Sequence, residues 1–205
     1  MKKTQHNLMI LNCIFAVSLV ISNILASKVV SFMGIVTPAA IVAYPITFLI
    51  TDVIGEMWGK EEANKTVKIG FVCQAISLVL IGLAVALPVA PFAADFQTEY
   101  ENVLGQSARV VAASLIAYLL SQFNDVFVFH KLKEICKGRH KWLRNNASTM
   151  ISQIVDTAIF VSIAFYGTVP NVFTMIISQY AVKFCFSVAD TPLFLWLTRN
   201  SDKQE

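Results

Sequence analysis

Charge is what this chain has least of. Asp, Glu, Lys and Arg make up 14% of its 205 residues, against roughly 25% in soluble globular domains. Apolar types reach 56%, and the mean hydropathy is +0.64, so a single soluble core has no room for the apolar surface. Cysteine is scarce and scattered: Cys13, Cys73, Cys136 and Cys185 show no CxxC spacing and read as small hydrophobes. The histidines, His6, His130 and His140, form no ligand set, which argues against a metal centre. A GxxxxGK[ST] loop and an HExxH helix are both missing, so ATP use would need a partner and zinc-peptidase chemistry has no footing. A net charge of +3 gives nucleic acid no basic face to bind.

What is present is a series of long apolar runs. They predict one domain, 1–205, that is an all-α integral membrane protein: a bundle of six transmembrane helices at about 8–26, 40–58, 66–88, 108–131, 149–168 and 172–198. The start, Met1-Lys2-Lys3 before an apolar run, imitates a secretory signal. The run is long and is broken by Asn12, so it reads as the first span. Of the 16 Lys and Arg residues, only Lys28 and Arg109 fall on one set of flanks, and Lys183 lies inside a span. The rest share the opposite face with both ends of the chain. Positive-inside bias then makes both termini cytoplasmic, in what we expect to be a bacterial inner membrane. Loop 88–107, with Asp95, Glu99 and Glu101, falls outside. Residues 28–38, rich in β-branched types around Gly34, predict a short external β-hairpin or re-entrant flap between the first two spans. Asn145-Asn146-Ala147-Ser148-Thr149 is expected to cap the fifth span. Ala113, Ala117 and Ser121 make a small-xxx-small face that serves helix packing or a homodimer.

Charge is rare, so its placement matters. Asp52, Asp125, Asp156, Asp190 and Lys183 all fall inside apolar runs, where each costs about 2.5–3.5 kcal/mol on insertion scales. Converted to depth, the four carboxylates lie in one layer roughly 9–12 Å below the cytoplasmic boundary. Ser121-Gln122-x-x-Asp125 recurs as Ser152-Gln153-x-x-Asp156, each putting an amide and an acid on one helix face. A purely structural reading pairs Lys183 with Asp156 or Asp190 and makes the amides interhelical glue. With more acids than bases in the layer, a carboxylate is left for a ligand or a proton. Small-molecule transport is the function this pattern favours. An intramembrane enzyme using Asp52 and Glu56 as acid and base is the weaker alternative, since no nucleophile accompanies them.

Three segments carry a resemblance: Tyr44-Pro45-x-x-Phe48-x-x-x-Asp52-x-x-x-Glu56-x-x-Gly59; Trp142-Leu143-Arg144-Asn145 followed by Ser148-Thr149-x-x-Ser152-Gln153-x-x-Asp156-Thr157; and Lys183 with Asp190-Thr191-Pro192. Together they resemble the queuosine-precursor transporter family, also described as vitamin uptake transporters, from about Asn23 to Pro192. Trp58 stands where that pattern leads one to expect Tyr. The resemblance implies a non-enzymatic importer of 7-deazaguanine bases (queuine, or the 7-cyano or 7-aminomethyl base) that needs no cofactor, or a binding subunit served by a separate energising complex. The expected substrate-binding residues are Asn23, Lys28, Tyr44, Phe48, Asp52, Glu56, Gln122, Asp125, Gln153, Asp156, Lys183 and Asp190. Carboxylates and amides suit the donor-rich edge of such a base, and Phe48, Phe129, Phe160, Tyr44 and Trp58 offer walls for its rings.

Overall fold

The computed structural model describes residues 1–32, 35–105, 108–137, 139–167 and 171–199. Its α-helices are α1 (Gln5–Leu25), α2 (Tyr44–Met57), α3 (Lys60–Ala86), α4 (Ala94–Leu104), α5 (Ala108–Ile135), α6 (Lys141–Phe165) and α7 (Val172–Leu197). Six helical segments are long and apolar enough to cross a membrane, and the eleven-residue α4 leads into the fourth of them. The architecture is therefore the six-span helical bundle. Between α1 and α2, β1 (Val29–Phe32) and β2 (Ile35–Pro38) run antiparallel with Val29 opposite Pro38. Met33 and Gly34, on which the expectation of a covering flap centred, lie outside the described residues. A 3-10 turn, Ala39–Val42, then delivers the chain to α2.

The bundle is inside-out relative to a soluble protein. Met9, Val17, Val72, Val79, Leu83, Phe127, Ile154, Phe173 and Trp196 face outward, as lipid contact requires. α2 is the central helix: every residue from Thr47 to Met57 is buried. α6 turns its polar stripe inward, burying Arg144, Asn145, Asn146, Ser148, Thr149, Ser152, Gln153 and Asp156. In hydrocarbon an unsatisfied polar group is so costly that the polar stripe, rather than the apolar one, selects the packed face.

Helix limits differ most from the sequence expectation at the starts of α6 and α3, and the expected loop 88–107 contains α4. α6 starts at Lys141, so Asn145–Thr149 form the buried flank of its first turns and do not cap it. A polar run reads as a cap only where water is the alternative, and here the neighbouring helices are. α3 starts at Lys60 because Gly59, at φ 93°, turns the chain straight out of α2 in a conformation only glycine adopts freely. Glu61 and Glu62 then complement the first turn of α3. The Met1 ammonium donates to the Leu197 carbonyl at 2.7 Å, which holds both ends of the chain at one end of the bundle. Ala113, Ala117 and Ser121 are buried within the chain, at 0%, 2% and 0% exposure. That face packs internally and is not free to meet a second copy.

α1, α3 and α5 meet at Gly70. A Cβ there would collide with the Phe15 ring and stand 2.5 Å from the Tyr118 hydroxyl, which donates to the Val67 carbonyl at 2.7 Å. Gly70→Ala is expected to cost about 1–3 kcal/mol through overpacking, read as a lowered unfolding temperature in detergent. Gly82→Ala, where nothing lies within 4 Å, serves as the neutral control.

Candidate functional site

The polar side chains sort into three strata along the bundle. The first lines a cavity of about 510 Å³ between α1, α3, α5, α6, α7 and the start of α2, opening at the end opposite the chain termini. Its floor is Asp156. Lys183 Nζ donates to Asp156 Oδ2 at 2.7 Å, Tyr44 Oη donates to Oδ1 at 2.7 Å, and Ser121 Oγ donates to Oδ1 at 3.2 Å. The Lys183 ammonium also stands 5.3 Å from the Tyr44 ring centroid, a cation–π distance. Gln74 and Gln153 also line the cavity, each 2% exposed and each with an Oε1 that accepts no hydrogen bond. Tyr118, Phe160 and Phe165 supply aromatic wall. Asn23, at the rim, donates to the Leu19 carbonyl and accepts from Ser114 Oγ at 3.0 Å.

The second stratum lies one helical turn nearer the termini. Asp52 and Asp125, from α2 and α5, stand beside one another, with Asp190 of α7 within electrostatic reach. Thr149 donates to Asp52 at 3.3 Å. Asp125 is fully buried, with Ser148 and Ser152 alongside, yet neither carboxylate oxygen accepts a hydrogen bond of good geometry. Asn145, 1% exposed and next to Asp190, likewise leaves both amide atoms unsatisfied.

The third stratum closes the end with the termini. Glu56 pairs with Arg144 at 2.9 Å, Lys133 at 3.4 Å and Lys141 at 3.9 Å. Arg144, wholly buried, lies 5.4 Å over the Phe129 ring.

Of the residues picked out in the sequence, the cavity gathers Asn23, Tyr44, Gln153, Asp156 and Lys183. Asp52, Asp125 and Asp190 sit beneath it, and Glu56 belongs to the ion cluster. Gln122 faces α2, bonded to Thr47 and Thr51 at 3.3 Å each. Phe48 is core, edge-on to Tyr44 at 5.6 Å. Lys28 is exposed just beyond α1, off the cavity lining. Sequence reasoning overlooked Gln74, Gln179 and Ser114, which line the cavity. A lone amide inside a lipid span is the signal that marks the two glutamines. Among the described residues no group of His, Cys, Asp and Glu is arranged to hold a metal.

A lipid-embedded helical bundle that keeps a polar, small-molecule-sized cavity open at one end and sealed by ion pairs at the other has the form of a multi-pass membrane transporter. The family model described as "Putative vitamin uptake transporter" matches residues 38–197, and the chain belongs to that family. It is 37% identical over 177 residues, 84% of this chain and 76% of the relative, to the "Probable queuosine precursor transporter" of Bacillus subtilis (strain 168). It is 29% identical over 197 residues, 90% of this chain and 85% of the relative, to the "Queuosine precursor transporter" of Escherichia coli (strain K12). A "Probable queuosine precursor transporter" of Haemophilus influenzae (strain ATCC 51907 / DSM 11121 / KW20 / Rd) is 29% identical over 124 residues, 60% of this chain and 49% of the relative. No solved structure matches the chain.

Removing one partner of a buried ion pair strands the other charge and typically costs about 3–5 kcal/mol, less where water reaches the site. Lys183→Met should therefore lower thermal stability in detergent more than the Lys183→Met/Asp156→Asn double variant does. Equal losses in the two proteins would mean that the pair is not coupled.

Proposed function

We infer that this chain imports 7-deazaguanine precursors of queuosine across the cytoplasmic membrane, with both termini in the cytoplasm and the cavity facing out. The relatives' names supply the substrate class, and the cavity floor supplies the chemistry. One observation carries the reading: a carboxylate and an ammonium lie in hydrogen-bond contact at the bottom of a cavity whose two buried amide oxygens have no donor.

A deazaguanine offers adjacent N–H donors and a carbonyl along one edge. Asp156 can accept the two donors in bidentate fashion while Lys183 donates to the carbonyl. Gln74 and Gln153 can take the remaining N–H groups, whose burial would otherwise leave the two amides unsatisfied. Tyr44, Tyr118 and Phe160 offer the planar ring its walls. About 510 Å³ lies within the ~300–1,000 Å³ of small-molecule sites. Asn23 then belongs to the outer entrance, with β1 and β2 on the same external side. No step in this account forms or breaks a covalent bond, in keeping with a transporter and not an enzyme.

Purified protein should be stabilised by queuine or 7-cyano-7-deazaguanine by about 2.7 kcal/mol at one hundred times Kd, and guanosine should leave it unchanged. Loss of a charge-assisted hydrogen bond worth about 1.5–3 kcal/mol predicts that Asp156→Asn weakens binding roughly 10- to 100-fold. Labelled base should also enter proteoliposomes that contain this chain alone. Binding without entry would transfer the chain to the class of binding subunits that need an energising complex.

A further inference from the structure

We propose that Asp52, Asp125 and Asp190 form a proton-binding site, distinct from the substrate cavity, through which a proton gradient drives import. The proposal rests on the transport reading above and adds its energy source.

Three observations meet at this stratum. The first is charge: Asp52 and Asp125 stand beside one another, Asp190 of a third helix lies within electrostatic reach, and among the described residues no Lys, Arg or His pairs with any of them. The bases of the packed elements are engaged elsewhere. On α6 and α5, Arg144, Lys141 and Lys133 hold Glu56, and His130 meets the Gly55 and Val126 carbonyls. On α7, Lys183 holds Asp156. On α3, Lys60 lies over Phe127, and Lys65 holds Glu62. Adjacent anions in a dry site cannot all stay ionised.

The second is an unmet demand for a donor. Asp125 is 0% exposed with neither oxygen bonded, and Asn145 Oδ1, buried beside Asp190, is also without a donor. A proton on one carboxylate converts an acceptor into a donor and answers that deficit. A metal ion would need converging ligands, which the described residues do not provide.

The third is a route. Ser121 and Asp125 lie one turn apart on α5, and Ser152 and Asp156 lie one turn apart on the antiparallel α6. Ser121 bonds Asp156, the cavity floor, and Ser152 stands beside Asp125. Two hydroxyls thus flank the single helical turn that separates the cavity floor from the buried acids, and Ser152 also accepts from Asn124 at 3.1 Å. A proton arriving with the substrate passes to the Asp125 cluster, stays bound during the conformational change and leaves to the cytoplasm. One proton is taken up outside and one released inside, with no other bond altered.

The test reconstitutes the full chain in liposomes with labelled 7-cyano-7-deazaguanine and a pH-sensitive dye in the lumen. Three arms are run: an inward proton gradient, an inward sodium gradient at equal pH, and exchange against internal unlabelled base with no gradient. A gradient of one pH unit should support about tenfold accumulation at one proton per substrate, and the lumen should acidify as base enters. Asp125→Asn, a neutral isostere of the protonated acid, should keep exchange and lose both accumulation and acidification. Asp190→Asn, at a less buried position, gives a second reading if the first variant does not fold. Exchange without proton-driven accumulation, or accumulation driven only by sodium, overturns the proposal and leaves the transport reading standing. No exchange and no uptake in any arm defeats the transport reading itself, and the proposal with it.

Discussion

A polar group in hydrocarbon must find its partner inside the protein, and that single constraint arranges this bundle. It explains why α2, the most buried helix, carries Thr47, Thr51, Asp52 and Glu56 at its centre. It also explains why α6 hides its amides and exposes Ile151 and Ile154. Lipid solvates apolar side chains as well as another helix does, so apolar burial cannot orient a helix here. Polar satisfaction can.

The same constraint makes sense of the repeated Ser-Gln-x-x-Asp motif. On α5 and α6, which run antiparallel, the two copies are placed head to tail. Ser121 of the first bonds Asp156 of the second, and Ser152 of the second flanks Asp125 of the first. Each helix lends a hydroxyl to the other's acid. One copy then serves the open cavity and the other the closed stratum below. The copies are not interchangeable: Gln153 lines the cavity, whereas Gln122 is bonded to Thr47 and Thr51 of α2.

Six spans and the inward pull of the acids were legible in the sequence, because hydropathy and the cost of intramembrane charge are local properties; the short helix α4 in the connection 88–107 was not. A lysine deep in a span needs an anion within reach; the sequence left Asp156 and Asp190 open as that partner, and the structure pairs Lys183 with Asp156. The single layer of carboxylates did not survive. Counting residues from helix ends placed Asp52, Asp125, Asp156 and Asp190 at one depth, but α6 begins at Lys141 instead of 149, which carries Asp156 deeper than the other three. Glu56 looked like a second acid beside Asp52, one turn away on α2. Its partners come from the end of α5 (Lys133) and the start of α6 (Lys141 and Arg144), and no local pattern announces them. Gln74 escaped because one amide in a long apolar run alters hydropathy little.

Those three strata also differ in charge balance, and the difference bears on how the closed end can open. Asp156 and Lys183 cancel. The acids beneath them have no base, and Glu56 below again is outnumbered by Arg144, Lys133 and Lys141. The middle stratum and the inner seal therefore attract, drawing α2, α5, α6 and α7 together at the end with the termini. Protonating the middle stratum weakens that attraction at the same time as it relieves repulsion among the acids. The seal itself is made of ion pairs, whose partners water can solvate once the helices part, and an exposed pair is worth only about 0–1 kcal/mol. A hydrophobic plug of the same size would resist opening by its full transfer cost. Ion pairs share the closure of this end with the apolar packing of Met57, Phe129 and Phe194, and the part held by charge is the part that water can replace.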